Sequence, residues 1–393
     1  MAQRIYLDNA ATSWPKPELV YDAADLFLRK LGAASGRGGY QNALEANRIV
    51  ERTRRGIARL IGAGNSNQVA FTCSGTDSLN LAIQGILRPG DHVVTTHCEH
   101  NSVLRPLQAM QEMARVEISF VPCDEQGTVS PNAVREALRP ETRLVAVIHA
   151  SNVTGALQPV GEIGQILSKH QALLLVDAAQ SLGHVPIDVH DFEIDLLAAP
   201  GHKGLLGPLG TGLLYIREGV EQHLRPLRLG GTGTQSNEDS QPDTLPEKYE
   251  AGNHNLPGLA GLAAAVEWLE ARTIEQIHSR HMQMTEQLID GLAAIDGIRI
   301  VGPRSTAQRT SVVSFAADGY DPQEFAVCLD VSAGVECRAG LHCAPRMHAA
   351  LGSDRTGGLV RLSPGWSTTD EEIELALSAI ATLAESLIKY PHG

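Results

Sequence analysis

Four short segments of this chain hold residue types that do chemistry. The first, Cys73-Ser74-Gly75-Thr76-Asp77-Ser78, follows a short apolar run at 69–72. If a helix starts there, free N–H groups, a glycine that allows close approach and a threonine hydroxyl make an anion seat. The plainer alternative is that Asp77 or Ser74 only caps the helix. The second, Thr96-His97-Cys98-Glu99-His100-Asn101, packs two imidazoles, a thiol and a carboxylate together. That composition invites a metal, but neighbours on a strand or tight turn point apart and no further ligands follow at standard spacing. A single histidine facing a ligand, with the others structural, is the better reading. The third segment ends an apolar run with Asp177 and continues Ala178-Ala179-Gln180. A buried aspartate needs a cationic or hydrogen-bonding partner, unless it merely caps a helix. The fourth, Pro200-Gly201-His202-Lys203-Gly204-Leu205-Leu206-Gly207-Pro208, sets a lysine among glycines just after another apolar run. Desolvated, that amine would form a Schiff base with an aldehyde; the alternative is a glycine-rich turn with an incidental lysine. Taken together, a phosphate cradle, a stacking histidine, a strand-end Asp177 and Lys203 about 26 residues later form the parts list of a pyridoxal 5'-phosphate (PLP) site.

These segments need a scaffold. Apolar, β-branched runs at 69–72, 92–96, 116–122, 144–149, 173–177, 196–199 and 212–216 predict strands. Amphipathic stretches at 77–87, 102–113, 131–138 and 163–170 predict helices between them, and 44–61 predicts an earlier one. The alternation reads as an α/β domain with a mostly parallel sheet covered on both faces. In such sheets ligands bind beyond the carboxyl ends of the strands, where all four segments fall. Residues 228–255 read as a long ordered loop, and loops of that length are usually functional or pack on a partner. Helices at 258–272 and 274–294, a strand at 311–316, a helix at 322–329, a further strand and a helix at 370–387 make a smaller α+β unit. The expected division is a large domain over 15–257 and a small one over 258–393, joined by residues 1–14.

The 393 residues suggest two or three domains. With 43% hydrophobic and 20% charged residues the composition is that of an ordinary globular protein. A net charge of −13 argues against nucleic acid or an anionic membrane as partner. Six dispersed cysteines without a Cys-x-x-Cys pair fit a reducing compartment. The first residues lack an apolar leader and no apolar run reaches membrane-spanning length, so the expected location is the cytoplasm.

Longer motifs cover nearly the whole chain: Tyr6-Leu7-Asp8-Asn9-Ala10-Ala11-Thr12, Glu99-His100, Ser151-Asn152-Val153-Thr154-Gly155, Val176-Asp177-Ala178-Ala179-Gln180, Gly201-His202-Lys203, Glu250-Ala251-Gly252, Arg338-Ala339-Gly340-Leu341-His342-Cys343-Ala344 and Val360-Arg361-Leu362-Ser363. On these the chain resembles class V aminotransferase-type PLP enzymes, specifically the cysteine desulfurases and selenocysteine lyases of the second structural group. The resemblance implies a fold-type-I PLP-dependent transferase, active as a homodimer. It implies that Lys203 binds the cofactor covalently and moves the substrate Cα proton. His100 would stack on the ring, Asp177 pair with its nitrogen and Gln180 reach its oxygen. Gly75, Thr76 and His202 would hold the phosphate. Ala10, Asn152 and Arg361 would meet the substrate, the last two at its carboxylate. Cys343 would take the sulfur of L-cysteine as a persulfide, releasing L-alanine, and the sulfur would pass on to a sulfur-acceptor protein. No metal is implied. Rival activities are a selenocysteine lyase, a C–S lyase giving pyruvate and ammonia, an inactive sulfur carrier and a metal hydrolase. Three positions depart from the family pattern: Pro200 replaces a phosphate-touching hydroxyl residue, Asn253-His254 replaces Thr-Pro, and Tyr40 replaces a histidine near the entrance. The remaining cysteines, Cys73 and Cys328 among them, read as structural; Cys337 reads as packing, with a resolving thiol as the alternative.

Overall fold

A computed structural model describes residues 4–36, 38–232 and 238–389. In chain order the elements are β1 (Ile5–Tyr6), α1 (Glu18–Leu26), α2 (Gln41–Leu60), β2 (Val69–Thr72), α3 (Gly75–Ile86), β3 (His92–Thr96), α4 (Asn101–Ala114), β4 (Glu117–Val121), α5 (Pro131–Ala137), β5 (Thr142–Ile148), α6 (Val160–Leu167), β6 (Leu173–Asp177), β7 (Leu196–Pro200) and β8 (Gly212–Ile216). They continue with α7 (Leu256–Arg272), α8 (Ile274–Ala293), β9 (Ile298–Val301), β10 (Val313–Ala317), α9 (Pro322–Ala333), β11 (Val335–Glu336), β12 (Arg338–Gly340), α10 (Pro345–Leu351), β13 (Leu359–Leu362) and α11 (Asp370–Lys389).

Strands β2 to β8 form one seven-stranded sheet in the order β2-β8-β7-β6-β5-β3-β4. The pairs β7–β6, β6–β5, β5–β3 and β3–β4 are parallel. Only β8 runs the other way, antiparallel to both β7 and β2. It follows that β2 points the same way as β3, β4, β5, β6 and β7, so the carboxyl ends of six strands share one edge. The apolar runs are continuous because both faces are covered. Val94, Val145, Val147, Leu174, Val176, Leu197 and Leu213 face one core cluster, and Val93, Leu144, Ala146, Leu175, Leu196 and Leu214 face the other. The class expected from the alternating pattern is the one found: an α/β fold with a mostly parallel sheet.

A second sheet, β12-β13-β10-β9, is antiparallel. It packs with Leu288, Phe325, Leu329, Ile373 and Ile380 into a third cluster. Strand β1 pairs in parallel with β11, and Ile5 and Leu7 join the same cluster. Helix α7 instead packs against α1 and α2, with Leu259, Leu262 and Trp268 in the first cluster.

Several boundaries differ from expectation. α3 begins at Gly75 rather than Asp77, because Ser74 is the cap: its Oγ accepts from Asp77 N at 3.1 Å. α4 begins at Asn101, capped by His100 Nδ1, which accepts from Ser102 N at 3.0 Å. β9 was not expected; it is short, includes an exposed Arg299 and pairs only with β10. The expected loop at 228–255 forms no helix or strand over 228–232 and 238–255, and residues 233–237 lie outside the described residues.

Candidate active site

The shared strand edge collects the chemical residues in one cavity. Gly75 and Thr76 follow β2, His100 follows β3, Asn152 follows β5, Asp177 ends β6, and His202 and Lys203 follow β7; all of them line it, with Gln180, Ser74, Ser102 and Pro200. Eight of the residues expected at the site therefore meet.

Lys203 sits in the turn that links β7 to β8. Gly201 N donates to Thr211 O, Gly207 N to Gly201 O and Leu206 N to Lys203 O, each at 2.8 Å. The turn is pressed against the one after β6. A Cβ on Gly204 would stand 2.3 Å from Leu182 O, and one on Gly183 would stand 2.3 Å from Gly204 O. Glycine at both positions is what lets the two backbones touch. The Lys203 ammonium forms no hydrogen bond or ion pair among the described residues. Burial pushes its pKa down to about 8; Asp177 opposes this, while Arg361 and Arg338 add to it.

Asp177 is buried, and burial raises its pKa against a hydrogen bond from Ala179 N to Oδ1 at 2.9 Å and the charge of Lys203. The bland reading of Asp177 as a helix cap fails, since a turn follows it and not a helix. His100 is held neutral, pushed down to about 4 by burial and by Lys203. Its Nδ1 lies 2.9 Å from Ser102 Oγ, which lies 2.8 Å from Thr76 Oγ1. His202 is likewise pushed down to about 4 by burial and Lys203, with Nδ1 3.0 Å from Thr12 Oγ1. The His202 carbonyl receives Ser13 N at 3.1 Å and Lys16 Nζ at 3.2 Å, so the N-terminal segment clamps the lysine turn.

Gln180 donates from Nε2 to Ala10 O at 2.8 Å. Ala10 is thus tied to the site but does not line the cavity. Asn152 donates from Nδ2 to His342 O at 2.7 Å, and its buried Oδ1 has no partner among the described residues. Arg361 also stands one layer back. Its Nη1 donates to Asn152 O at 3.1 Å and its Nη2 to Asp8 Oδ1 at 2.7 Å, while the buried Nε has no partner among the described residues. Asp8 was not singled out by sequence, although it lies within the first quoted motif.

Cys343 is exposed and lies outside the cavity, 3.9 Å from Arg338 Nη2. Its carbonyl accepts from Asn101 N at 2.8 Å, beside cavity-lining His100. Cys337 packs on the third cluster, and burial pushes its thiol up to about 12, which keeps it from thiolate chemistry near neutrality. Cys73, expected as a packing residue, is exposed, because the chain leaves the sheet there to enter α3. Cys328 is half-buried on α9.

The segment that suggested a metal diverges. His97 lies near Phe120, Cys98 is buried with Sγ 3.4 Å from Gly127 O, and buried Glu99 accepts from Thr96 Oγ1 at 2.7 Å and Ile148 N at 3.1 Å. Among the described residues no three His, Cys, Asp or Glu side chains converge on an ion site. Of the departing positions, Pro200 lines the cavity, Tyr40 is exposed before α2, and His254 Nε2 stands 3.3 Å from Glu250 Oε2.

The arrangement offers an amine near neutrality, a buried carboxylate suited to a cation, an anion seat at a helix start and a thiol on an adjoining turn. Comparison with known proteins agrees with it. A probable cysteine desulfurase from Methanothermobacter thermautotrophicus is 38% identical over 387 residues, covering 98% of this chain and 96% of the relative. One from Pyrococcus abyssi is 33% identical, covering 98% and 95%. The structure of a cysteine desulfurase from Thermococcus onnurineus NA1 superposes with a TM-score of 0.90 at 33% identity, covering 98% of this chain and 95% of that one. A cysteine desulfurase from Escherichia coli gives 0.87 at 28% identity, covering 98% and 95%. The aminotransferase class-V family matches residues 5–376, and with these relatives it settles the lineage: the chain belongs to the class-V aminotransferase family.

Proposed function

We infer that this chain is a PLP-dependent cysteine desulfurase. The observation that carries the reading is the Lys203 amine, lowered to about 8 by burial, in one cavity with Asp177, with the Cys343 turn bonded to cavity-lining Asn152 and to Asn101, the neighbour of cavity-lining His100.

The residues present fit the cofactor. The N–H groups of Gly75 and Thr76 open the 12-residue helix α3 without acceptors among the described residues, which suits a phosphate. Beside them stand the Thr76 hydroxyl and His202. Asp177 uses one oxygen on Ala179 N and leaves the other without a hydrogen bond among the described residues, which suits a protonated pyridine nitrogen. His100, neutral, would lie on the ring face, Gln180 would reach the ring oxygen, and Lys203 would bind the aldehyde carbon. Bound there, PLP supplies the electron withdrawal that loosens the bonds around the substrate Cα.

The chain's own residues do the rest. Arg361, with Asn152, orients the substrate carboxylate. Lys203 takes the Cα proton and returns protons as the reaction proceeds. The Cys343 thiolate attacks the substrate sulfur: an S–S bond forms, the Cβ–S bond breaks, Cβ gains a proton, and alanine leaves. The sulfur remains as a Cys343 persulfide until an acceptor protein's thiol takes it. Exposure of Cys343 suits that hand-over. A homodimer is carried over from the family resemblance. Six free cysteines support a reducing compartment such as the cytoplasm, and no helix among the described residues is long and apolar enough to cross a membrane. Within the division into units 15–257 and 258–393, the β1–β11 pairing supports joining 1–14 to the second unit, whereas the packing of α7 in the first core cluster supports a boundary beyond that helix.

The test is product analysis of L-cysteine turnover by the PLP-loaded protein with a thiol reductant. The parent yields alanine and sulfide in equal amounts, and Cys343→Ala keeps the cofactor colour but makes no persulfide. Pyruvate and ammonia from both would replace the reading with a C–S lyase.

A further inference from the structure

Cys343 sits in an unusual turn. It and His342 both have positive φ, 58° and 48°, in a stretch without glycine at either position. Two consecutive left-handed residues with side chains persist only where their surroundings hold them. From the cavity side, Asn152 Nδ2 holds the His342 carbonyl at 2.7 Å and Asn101 N holds the Cys343 carbonyl at 2.8 Å. Within the turn, Ala344 N donates to Leu341 O at 2.9 Å.

A third hold comes from behind. The His342 ring stacks on that of His348, centroids 5.4 Å apart and planes at 27°. His342 Nδ1 lies 3.3 Å from His348 Nε2, and His348 Nδ1 lies 2.8 Å from Ser353 Oγ. Their relative exposures are 4%, 0% and 2%. Ser353 is itself fixed: its N donates to His348 O at 3.0 Å and its O accepts from Gly358 N at 2.9 Å.

We propose that His348 and Ser353 are positioning residues for Cys343, acting through the His342 ring to hold the strained turn that aims the thiol. Burial keeps both imidazoles neutral, with His342 pushed down to about 2 and His348 to about 4, so each ring carries a single N–H. The proton on one ring then fixes the tautomer of the other, and the set braces the turn without carrying charge. Loss of the His348 nitrogens frees the His342 ring, and the turn relaxes toward ordinary φ. The proposal rests on the reading of Cys343 as the sulfur acceptor.

The experiment compares His348→Phe, His348→Gln and Ser353→Ala in the PLP-loaded full chain. His348→Phe keeps a ring of similar size but neither nitrogen; Gln restores a donor and an acceptor. Cofactor absorbance and the KM for L-cysteine stay at parental values in all three. In His348→Phe, kcat for alanine and the rate of Cys343 alkylation by iodoacetamide both fall by roughly three- to tenfold, the scale of one lost hydrogen bond. Alkylation of exposed Cys73 is the internal control. His348→Gln recovers part of the loss and Ser353→Ala shows a smaller one. Parental kcat and Cys343 alkylation in His348→Phe would overturn the proposal; if that variant does not fold, parental behaviour in Ser353→Ala overturns it. So would a loss of cofactor in step with kcat, which marks a collapsed site. Failure of the underlying desulfurase reading looks different, since the parent itself would form no alanine.

Discussion

An ordinary lysine is fully protonated at neutral pH and cannot attack a carbonyl. Lys203 differs because burial lowers it to about 8, with Asp177 the larger of two charges, Asp8 the other, that keep it from falling further. The neutral amine is the nucleophile, so capture of PLP by the cofactor-free protein should quicken as pH rises and level off above about 8. Asp177→Asn removes the larger restraining charge, so the inflection moves to lower pH even as cofactor affinity falls. Stopped-flow absorbance across pH 6–10 reads both, with roughly 1.4 kcal/mol for each unit moved. Lys203→Ala should leave no cofactor attached after borohydride reduction, as judged by intact mass. A reduced adduct at another lysine would displace Lys203 from the assignment.

At the scale of elements, the site depends on β2 holding its register, because Cys73 to Thr76 continue from its end. A buried ion pair secures it. Arg54 of α2 donates to both Glu250 oxygens, at 2.7 and 2.8 Å, and also to Val69 O. Glu250 Oε1 accepts from Phe71 N at 2.6 Å, and the Arg54 guanidinium lies 4.6 Å from the Phe71 ring centre. Burial opposes the Glu250 charge, but Arg54 and His254 hold its carboxyl below the usual range. Arg54→Ala strands that carboxylate and should cost about 3–5 kcal/mol, read from urea denaturation. Replacing both partners with methionine should cost much less; equal losses would mean that the pair contributes packing alone. Much of this scale is legible in the residues. The strands at 69–72, 92–96, 173–177 and 212–216 have the expected bounds, because each apolar run stops at a glycine or polar group. What escapes is contact between distant residues: Asp8 with Arg361 is separated by 353 positions and Asn152 with His342 by 190. Periodicity reports which face a side chain takes, not which partner meets it. The expectation that Arg361 touches substrate therefore came from resemblance, and the structure adds the Asp8 carboxylate that already holds it.

The whole molecule stores an unusual number of neutral imidazoles. Burial lowers His100, His149, His184 and His202 to about 4, all from an ordinary 6.5. A depressed pKa means the unfolded chain binds protons that the folded one does not, so stability is present above 6.5 and is lost as pH falls toward 4. Glu99 acts in reverse. Burial raises it to about 8, so its contribution is intact below 4.5 and is lost as pH climbs through 8. Several histidines outweigh one carboxyl on the acid side, whereas on the alkaline side Glu99 acts without them. Stability from these groups should therefore rise steeply from pH 4 to about 6.5 and decline gently from there to 8. Urea midpoints of the cofactor-free protein at pH 5, 6.5 and 8 measure the shape. Glu99→Gln, which resembles the protonated acid, should flatten the alkaline decline and leave the acid limb in place. An alkaline limb that persists in that variant would move its origin away from Glu99.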